Sequence, residues 1–432
     1  MNTQAPKNAR ASKRQKKGQS QAPRDHWMWK DVNNREAIRT IDHATLRPAE
    51  TAVSSSLGCE LLCSYSWQTS KKPTIQVPGT APTWQDLPLP VTVPPDKGFT
   101  FVDQNAERMP EYPFEPLFRA VVSMKPQFQF DKVDVVINRN SLRRLLDFCK
   151  GVSLESFRVN LFMIHNTLIV ERSEKNGRHF INTPGAGFGK NFEKTFTKFS
   201  SDDQKSTGHH RVLSYPLGHL NCVVRFEVDA RYDKEDDEAG LQTEDNNQDI
   251  EDEGGVSLVG WMDDLSLGSS GPKSSSASRA TTPRAPNNGS SSSLRLISAQ
   301  LSTIMPQSTA AELKTTTRFK SLGQCIPQLW FGRTPWLIVA HHKAGTFDGV
   351  NITHVKPDDF IAWETRLQEP LQKMVTLISQ LKEAIIEHRG KPCVATFDQT
   401  LSPRCIKVYA SSLVEKQALS NDLIDQCWAT PR

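Results

Sequence analysis

Four short stretches, in chain order, set acids or amides at or beside the ends of apolar runs: Gly189-Lys190-Asn191-Phe192-Glu193, Glu227-Val228-Asp229, Glu312-Leu313-Lys314 and Gln328-Leu329-Trp330. Residues 223–229 alternate with the two-residue period of a strand, which turns Glu227 and Asp229 to one side. Carboxylates held so close repel one another and lose hydration unless a cation stands between them. Glu312 and Lys314 share one side of a strand in the same way, with Leu313 packing the opposite face. An acid there can hold a divalent ion, and the lysine can orient water or stabilise charge developing at phosphorus. Acids and one lysine converging from separate strands suit metal-assisted attack on a phosphodiester or pyrophosphate.

Each motif taken singly has a plainer explanation. Glu-x-Lys is common as a surface ion pair on a solvated strand. Glu227 and Asp229 suit a solvated strand end, and Glu193 suits the first turn of a helix, where the dipole favours an acid. Gln328 alone carries no information.

Strands and helices must bring these motifs together. Residues 133–137 read as a strand, followed by Arg139 and a helix with Leu142, Leu145, Leu146 and Cys149 at helical spacing. Residues 157–162 and 166–171 read as strands joined near His165-Asn166, and 212–215 and 220–229 as two more. A glycine-rich turn at 185–187 precedes a short helix over 192–199. Residues 311–315 form a strand, 326–331 start a helix, and 336–340 make a strongly apolar strand. The longest helical pattern runs over 358–388, and 393–397 with 406–409 suit a hairpin. Residues 60–125 are too rich in proline for long helices. They are expected to lie extended on the domain, with short strands such as 74–77. His209-His210-Arg211 is read as the capped start of a strand, and His341-His342 as structural residues at a strand end.

The fold class expected is α+β, with mixed central β-sheets flanked by helices. One domain would comprise residues 56–233 and 294–432. A basic arm over 1–55 and an acidic, then Ser-rich, insertion over 234–293 are expected to be disordered. The acidic-hydrophobic cluster at 259–265 is read as a transient apolar patch rather than a partner motif.

Composition narrows the class of protein. Of 432 residues, 37% are hydrophobic, and the mean hydropathy is −0.50, as suits long unstructured segments. No apolar stretch approaches the ~20 residues that span a bilayer, and the N-terminus lacks an apolar signal segment. A soluble, intracellular protein without membrane attachment is expected. The eight cysteines are scattered, only Cys59 and Cys63 lie close, and no Cys-x-x-Cys occurs, so buried free thiols are expected rather than zinc or disulfides. Net charge is +5. Lys7, Arg10, Lys13, Arg14, Lys16, Lys17 and Arg24 all precede the first acid, Asp25, while 233–253 is rich in acids. A basic arm beside an acidic insertion favours nucleic acid or a nuclear import receptor as partner. That points to the nucleus, with the cytoplasm as the other location. For the arm alone, a solubilising role explains the charge equally well.

Glu312-Leu313-Lys314 is the acid-x-lysine half of the PD-(D/E)xK nuclease signature. Together and in order, the motifs resemble the DXO-type RNA 5′-end decapping nuclease family. That family shows an arginine after a strand, then Gly-x-x-Phe-Glu, Glu-x-Asp, Glu-x-Lys, and a glutamine before an apolar strand. Arg139, Gly189 to Glu193, Glu227 to Asp229, Glu312 to Lys314 and Gln328 match these elements, and Gly345-Thr346-Phe347 continues the similarity. The resemblance covers residues 130–350. It implies a mixed sheet with flanking helices, a pair of Mg²⁺ or Mn²⁺ ions, and RNA with an aberrant 5′ end as substrate. Family activities include pyrophosphohydrolysis, removal of incomplete caps and, in some members, 5′–3′ exonuclease action, in some cases beside a partner exoribonuclease.

Carried over by position, the resemblance implies that Glu227, Asp229 and Glu312 bind metal with the Leu313 carbonyl. Glu193 would complete a second metal position. Lys314 and Gln328 would place the attacking water, and Arg139 would hold a substrate phosphate. The insertion between Asp229 and Glu312 and the Pro-rich segment before residue 125 depart from the family pattern. The alternatives are a catalytically silent member that binds RNA or a partner, and a PD-(D/E)xK DNA nuclease. Retention of every acid weighs against the first, and the arginine and glutamine elements against the second. An isoprenoid synthase is a poor fit, because Asp263-Asp264 lies in the insertion and the other acids lie on strands.

Overall fold

Residues 26–181, 187–233, 294–300, 304–318 and 322–429 are described by the structure, a computed structural model. The predicted basic arm up to residue 25, the insertion 234–293 with its 259–265 cluster, and most of the 185–187 turn lie outside the described residues.

The observed class is α+β. Among the described residues, eleven strands make one mixed sheet. Its spatial order is Val32–Asp42, Cys405–Ser411, Cys393–Phe397, Phe157–Ile164, Thr167–Ser173, Val135–Asn138, Leu220–Val228, Ser206–Leu217, Glu60–Gln68, Thr74–Val77, Arg295–Ser298. Leu220–Val228 pairs parallel with Val135–Asn138 and antiparallel with Ser206–Leu217. A second sheet of seven strands runs Thr197–Lys198, Thr83–Trp84, Ala230–Arg231, Ala310–Thr316, Trp336–Lys343, Thr346–His354, Val91–Thr92. A separate two-stranded ribbon pairs Gly98–Phe101 with Arg178–Ile181.

Helices cover both faces of the large sheet. Arg139–Cys149, Leu322–Gly332 and Gln368–Glu387 bury one face through Leu142, Leu146, Leu329, Leu371 and Leu381. Glu115–Met124 and Asn421–Cys427 close the other, where the tilted rings of Phe118, Phe130 and Trp428 have centroids within 5.4 Å of one another. A third core lies on the second sheet, where Leu313 meets Phe192, Phe196 and Phe347.

Several sequence expectations need correction. The N-terminal arm does not run to residue 55: Val32–Asp42 is an edge strand, and Met28, Leu46 and Val53 are buried. Only backbone pairing to Cys405–Ser411 holds much of this strand, so its side chains carry no strict apolar alternation. Arg39 adds ion pairs of 2.9 Å to Glu383 and 2.6 Å to Glu387.

The Pro-rich segment does not merely lie on the domain. Glu60–Gln68 is a buried strand between Ser206–Leu217 and Thr74–Val77. Ten residues, Glu115–Met124, form a helix because Pro116 sits in its first turn, where no backbone donor is lost. Finally, the long 358–388 pattern is two helices, Pro357–Arg366 and Gln368–Glu387, joined at Leu367. Pro370 lacks the N–H that a continuous helix would need there, but it is tolerated in the first turn of a new one.

Other expectations match. The 157–171 strands turn at His165, whose φ is 49°. Residues 393–397 and 405–411 pair antiparallel. All eight cysteines are free, and all but Cys59 are buried. One further expectation is corrected: His209, His210 and Arg211 lie inside a strand rather than at its capped start, and all are buried. His342 packs edge-on against Phe188 at 5.0 Å, a structural role.

Candidate active site at the seam between two sheets

Asp229 is the residue at which the chain leaves the large sheet for the second. Leu220–Val228 ends just before it, and Ala230–Arg231 pairs with Ala310 and Ala311 just after it. Its Oδ2 accepts a hydrogen bond from the Leu313 amide at 2.9 Å. That bond fixes the crossing against the strand carrying Glu312 and Lys314. Strand period turns both of these to one side, where Lys314 Nζ donates to Glu312 Oε1 at 2.5 Å, while Leu313 is buried on the other.

Arg139 starts the helix after Val135–Asn138, beside the end of Leu220–Val228. Its Nη1 donates to Glu312 Oε2 at 3.2 Å, and its guanidinium lies 5.2 Å above the Phe226 ring. Gly332 makes room for it: a Cβ there would stand 3.1 Å from Arg139 Nη1. Gln328, on the helix linking the parallel strands Ala310–Thr316 and Trp336–Lys343, also donates from Nε2 to Glu312 Oε1. Its Oε1 accepts from Arg143 at 3.2 Å, which fixes which way the amide points. Sequence reasoning missed Arg143. The available signal was its place one helical turn after Arg139. Sequence reasoning also missed Asp96, whose carboxylate caps the backbone N–H groups of Lys190 and Asn191 at the start of the helix bearing Glu193. A loop acid distant in sequence gives no local signal.

Glu312 is buried, whereas Glu193 and Glu227 face water. Both exposed acids are nonetheless crowded by protein atoms. Crowding, then the repulsion of Glu227, push Glu193 up to about 7. Crowding also pushes Glu227 up to about 7, with Glu312 adding to it and Arg139 opposing it. Burial and the charge of Glu312 hold Asp229 well above the usual carboxylate range. Burial pushes Glu312 the same way, but Lys314 and Arg139 outweigh it and hold Glu312 down. Glu193, Glu227, Asp229, Glu312, Lys314 and Arg139 therefore act on one another's charge.

The donor chemistry suits a hard divalent cation, since the side chains offered are carboxylates only. Three acids leaning towards protonation mark a place short of positive charge. Among the described residues, however, no three His, Cys, Asp or Glu side chains stand together in ligating positions. Glu312 is instead engaged by Arg139, Lys314 and Gln328. The carboxylates influence one another's charge without forming a ligand set among the described residues.

A family profile described as "Domain of unknown function (DUF8563)" matches residues 35–428. The chain belongs to that family. Among curated proteins, this DUF8563 chain has no sequence match. Among solved structures, it is similar to S. pombe Rai1, with a TM-score of 0.50 and 10% identity, covering 86% of this chain and 99% of that one. It is similar to Candida albicans Rai1 in complex with pU5-Mn²⁺, with a TM-score of 0.52 and 10% identity, covering 91% and 99%. Scheffersomyces stipitis Rai1 in complex with (3′-NADP)⁺ and calcium ion gives 0.50 and 11%, covering 91% and 95%. Identity this low speaks to fold. The DUF8563 chain has the DXO-like fold that its motifs implied.

Proposed function

We infer that this chain is a metal-dependent hydrolase acting on RNA 5′ ends, by pyrophosphohydrolysis or removal of incomplete caps. One observation carries the reading: Arg139, Lys314 and Gln328 all donate to the buried carboxylate of Glu312, while Asp229 accepts from the amide of the next residue, Leu313. The pU5 and Mn²⁺ in the Candida albicans Rai1 structure support RNA and a divalent ion as the ligands.

In this reading Glu193, Glu227, Asp229, Glu312 and the Leu313 carbonyl would hold Mg²⁺ or Mn²⁺. The ion, when bound, supplies Lewis-acid polarisation at phosphorus. Lys314 and Gln328 orient a water beside Glu312. The planar guanidinium of Arg139 suits two phosphate oxygens at once. Phe226 beneath it and the room left by Gly332 hold that fork in place.

A second reading, a silent RNA-binding member, rests on the engagement of Glu312 by protein donors. One experiment separates the two. RNAs with 5′-triphosphate, unmethylated-cap and 5′-monophosphate ends are incubated with the purified chain, with Mg²⁺ or Mn²⁺ and with chelator. Metal-dependent release of pyrophosphate or cap nucleotide, lost in Glu312→Gln, is expected. Release that persists in Glu312→Gln, or no release from any RNA, would remove the hydrolase reading.

A further inference from the structure

The two-stranded ribbon of Gly98–Phe101 and Arg178–Ile181 carries a solvent-exposed aromatic face. Phe99 pairs directly with Phe180, and Arg178 pairs directly with Phe101. The two-residue period puts all four side chains on one side. Phe99 is 56% exposed, Phe180 59% and Phe101 41%. Three large rings open to water on so short a ribbon form a cluster, not the scattered apolar residues usual on a surface. The Phe99 and Phe180 rings lie 4.8 Å apart at 54°.

The cluster is basic as well as aromatic. The Arg178 guanidinium stands 4.7 Å from the Phe99 ring, and that of Arg108 stands 5.5 Å from Phe101. Lys190 Nζ donates to the Phe99 carbonyl. Aromatic faces interleaved with guanidinium and ammonium groups match single-stranded nucleic acid, whose bases stack while its phosphates take the cations.

Two connections place the ribbon beside the carboxylates. Lys190 lies in the first turn of the helix carrying Glu193. Gln104, just past the ribbon strand, shares with Glu227 the space beside Gly208. A Cβ there would meet the Gln104 side-chain amide and stand 3.0 Å from Glu227 Oε1.

We propose that the Phe99–Phe180 ribbon is a stacking platform for unpaired bases of single-stranded RNA whose 5′ end lies at the carboxylates. This deepens the hydrolase reading and rests on it for the identity of the nucleic acid. The ribbon makes the site selective for RNA that is single-stranded next to its 5′ end. A duplex has its bases already stacked and offers the rings nothing.

The test is fluorescence anisotropy with the full chain, in EDTA so that no turnover occurs. The probe is a 3′-labelled oligouridylate of about ten nucleotides, beside a blunt duplex of the same length. Phe99→Ala with Phe180→Ala should weaken single-strand binding roughly 5- to 150-fold, the range for losing one stacked base. Phe180→Trp should restore it in the Phe99→Ala background. Duplex affinity should not change. Both rings project into solvent, so an unchanged Tm should accompany the loss. Single-strand affinity unchanged in the double variant would overturn the proposal and leave a protein surface as the ribbon's partner. Equal weakening for duplex and single strand would also overturn it, because it would show charge rather than stacking. Binding without metal is independent of hydrolysis, so either result stands whether or not Glu312-dependent turnover is found.

Discussion

The Leu313 amide and the Asp229 carboxylate, 84 residues apart, are joined by one 2.9 Å hydrogen bond across the point where the chain changes sheets. Asp229 therefore has a positional role that does not depend on any ion. Asp229→Ala strands a backbone donor and should cost about 1–3 kcal/mol. Asp229→Asn keeps an oxygen acceptor and should recover most of that stability in urea denaturation, while hydrolysis stays lost. Equal stability of the alanine and asparagine variants would refute the positional role.

Arg139 and Glu312 form an ion pair whose side chains are only 10% and 3% exposed. Removing one member leaves the other buried with less compensation. Arg139→Met alone should cost about 3–5 kcal/mol, and the double variant Arg139→Met, Glu312→Gln should be more stable than the single one. Denaturant midpoints of the four proteins in the cycle measure the coupling. Additive losses would mean that the pair is not coupled in solution.

Acidification should weaken the fold through His209 and His210. Burial, then the charge of Arg225, holds His210 down to about 3, and burial with Arg211 holds His209 well below its ordinary value. An unfolded histidine takes up its proton near pH 6.5. Between that pH and the folded values, the unfolded state binds more protons, so stability falls as pH drops through about 6.5. The slope approaches about 1.4 kcal/mol per pH unit for each histidine. The raised acids Glu193 and Glu227 act oppositely, gaining stability on acidification between their unfolded values and about 7. The difference between wild type and His210→Gln isolates the imidazole, which stacks on Tyr65 at 5.0 Å and meets Asn105 at 3.0 Å. Between pH 7 and 5 the variant should lose less stability than wild type, and parallel pH profiles would refute the assignment.

Divalent metal should stabilise the folded chain if the carboxylates gather around it. At a hundredfold excess over Kd, the gain is about 2.7 kcal/mol. Mn²⁺ should raise Tm in wild type, EDTA should reverse the rise, and Glu227→Gln should blunt it. A Tm indifferent to Mn²⁺ would favour the silent reading.

Much of the candidate site was legible in the sequence because its signals are local. Two-residue alternation put Glu312 and Lys314 on one side, and their 2.5 Å contact agrees. Helical spacing of Leu142, Leu145 and Leu146 marked the helix that Arg139 begins. The Val32–Asp42 strand was not legible. An edge strand is held by its neighbour's backbone, which leaves little trace in its own side chains. Nor was the break at Leu367, where one apolar face continues across two helices and only Pro370 marks the change.

From its residues alone, the chain determined the type of most elements and the order of the acidic motifs, since strand and helix periods are set by the backbone next to each residue. Only the tertiary structure decided that Arg139 reaches Glu312 across 173 residues, that Arg143 orients Gln328, and that Asp229 links two sheets. Which strands become neighbours depends on how distant apolar faces are buried together, and no local period encodes that.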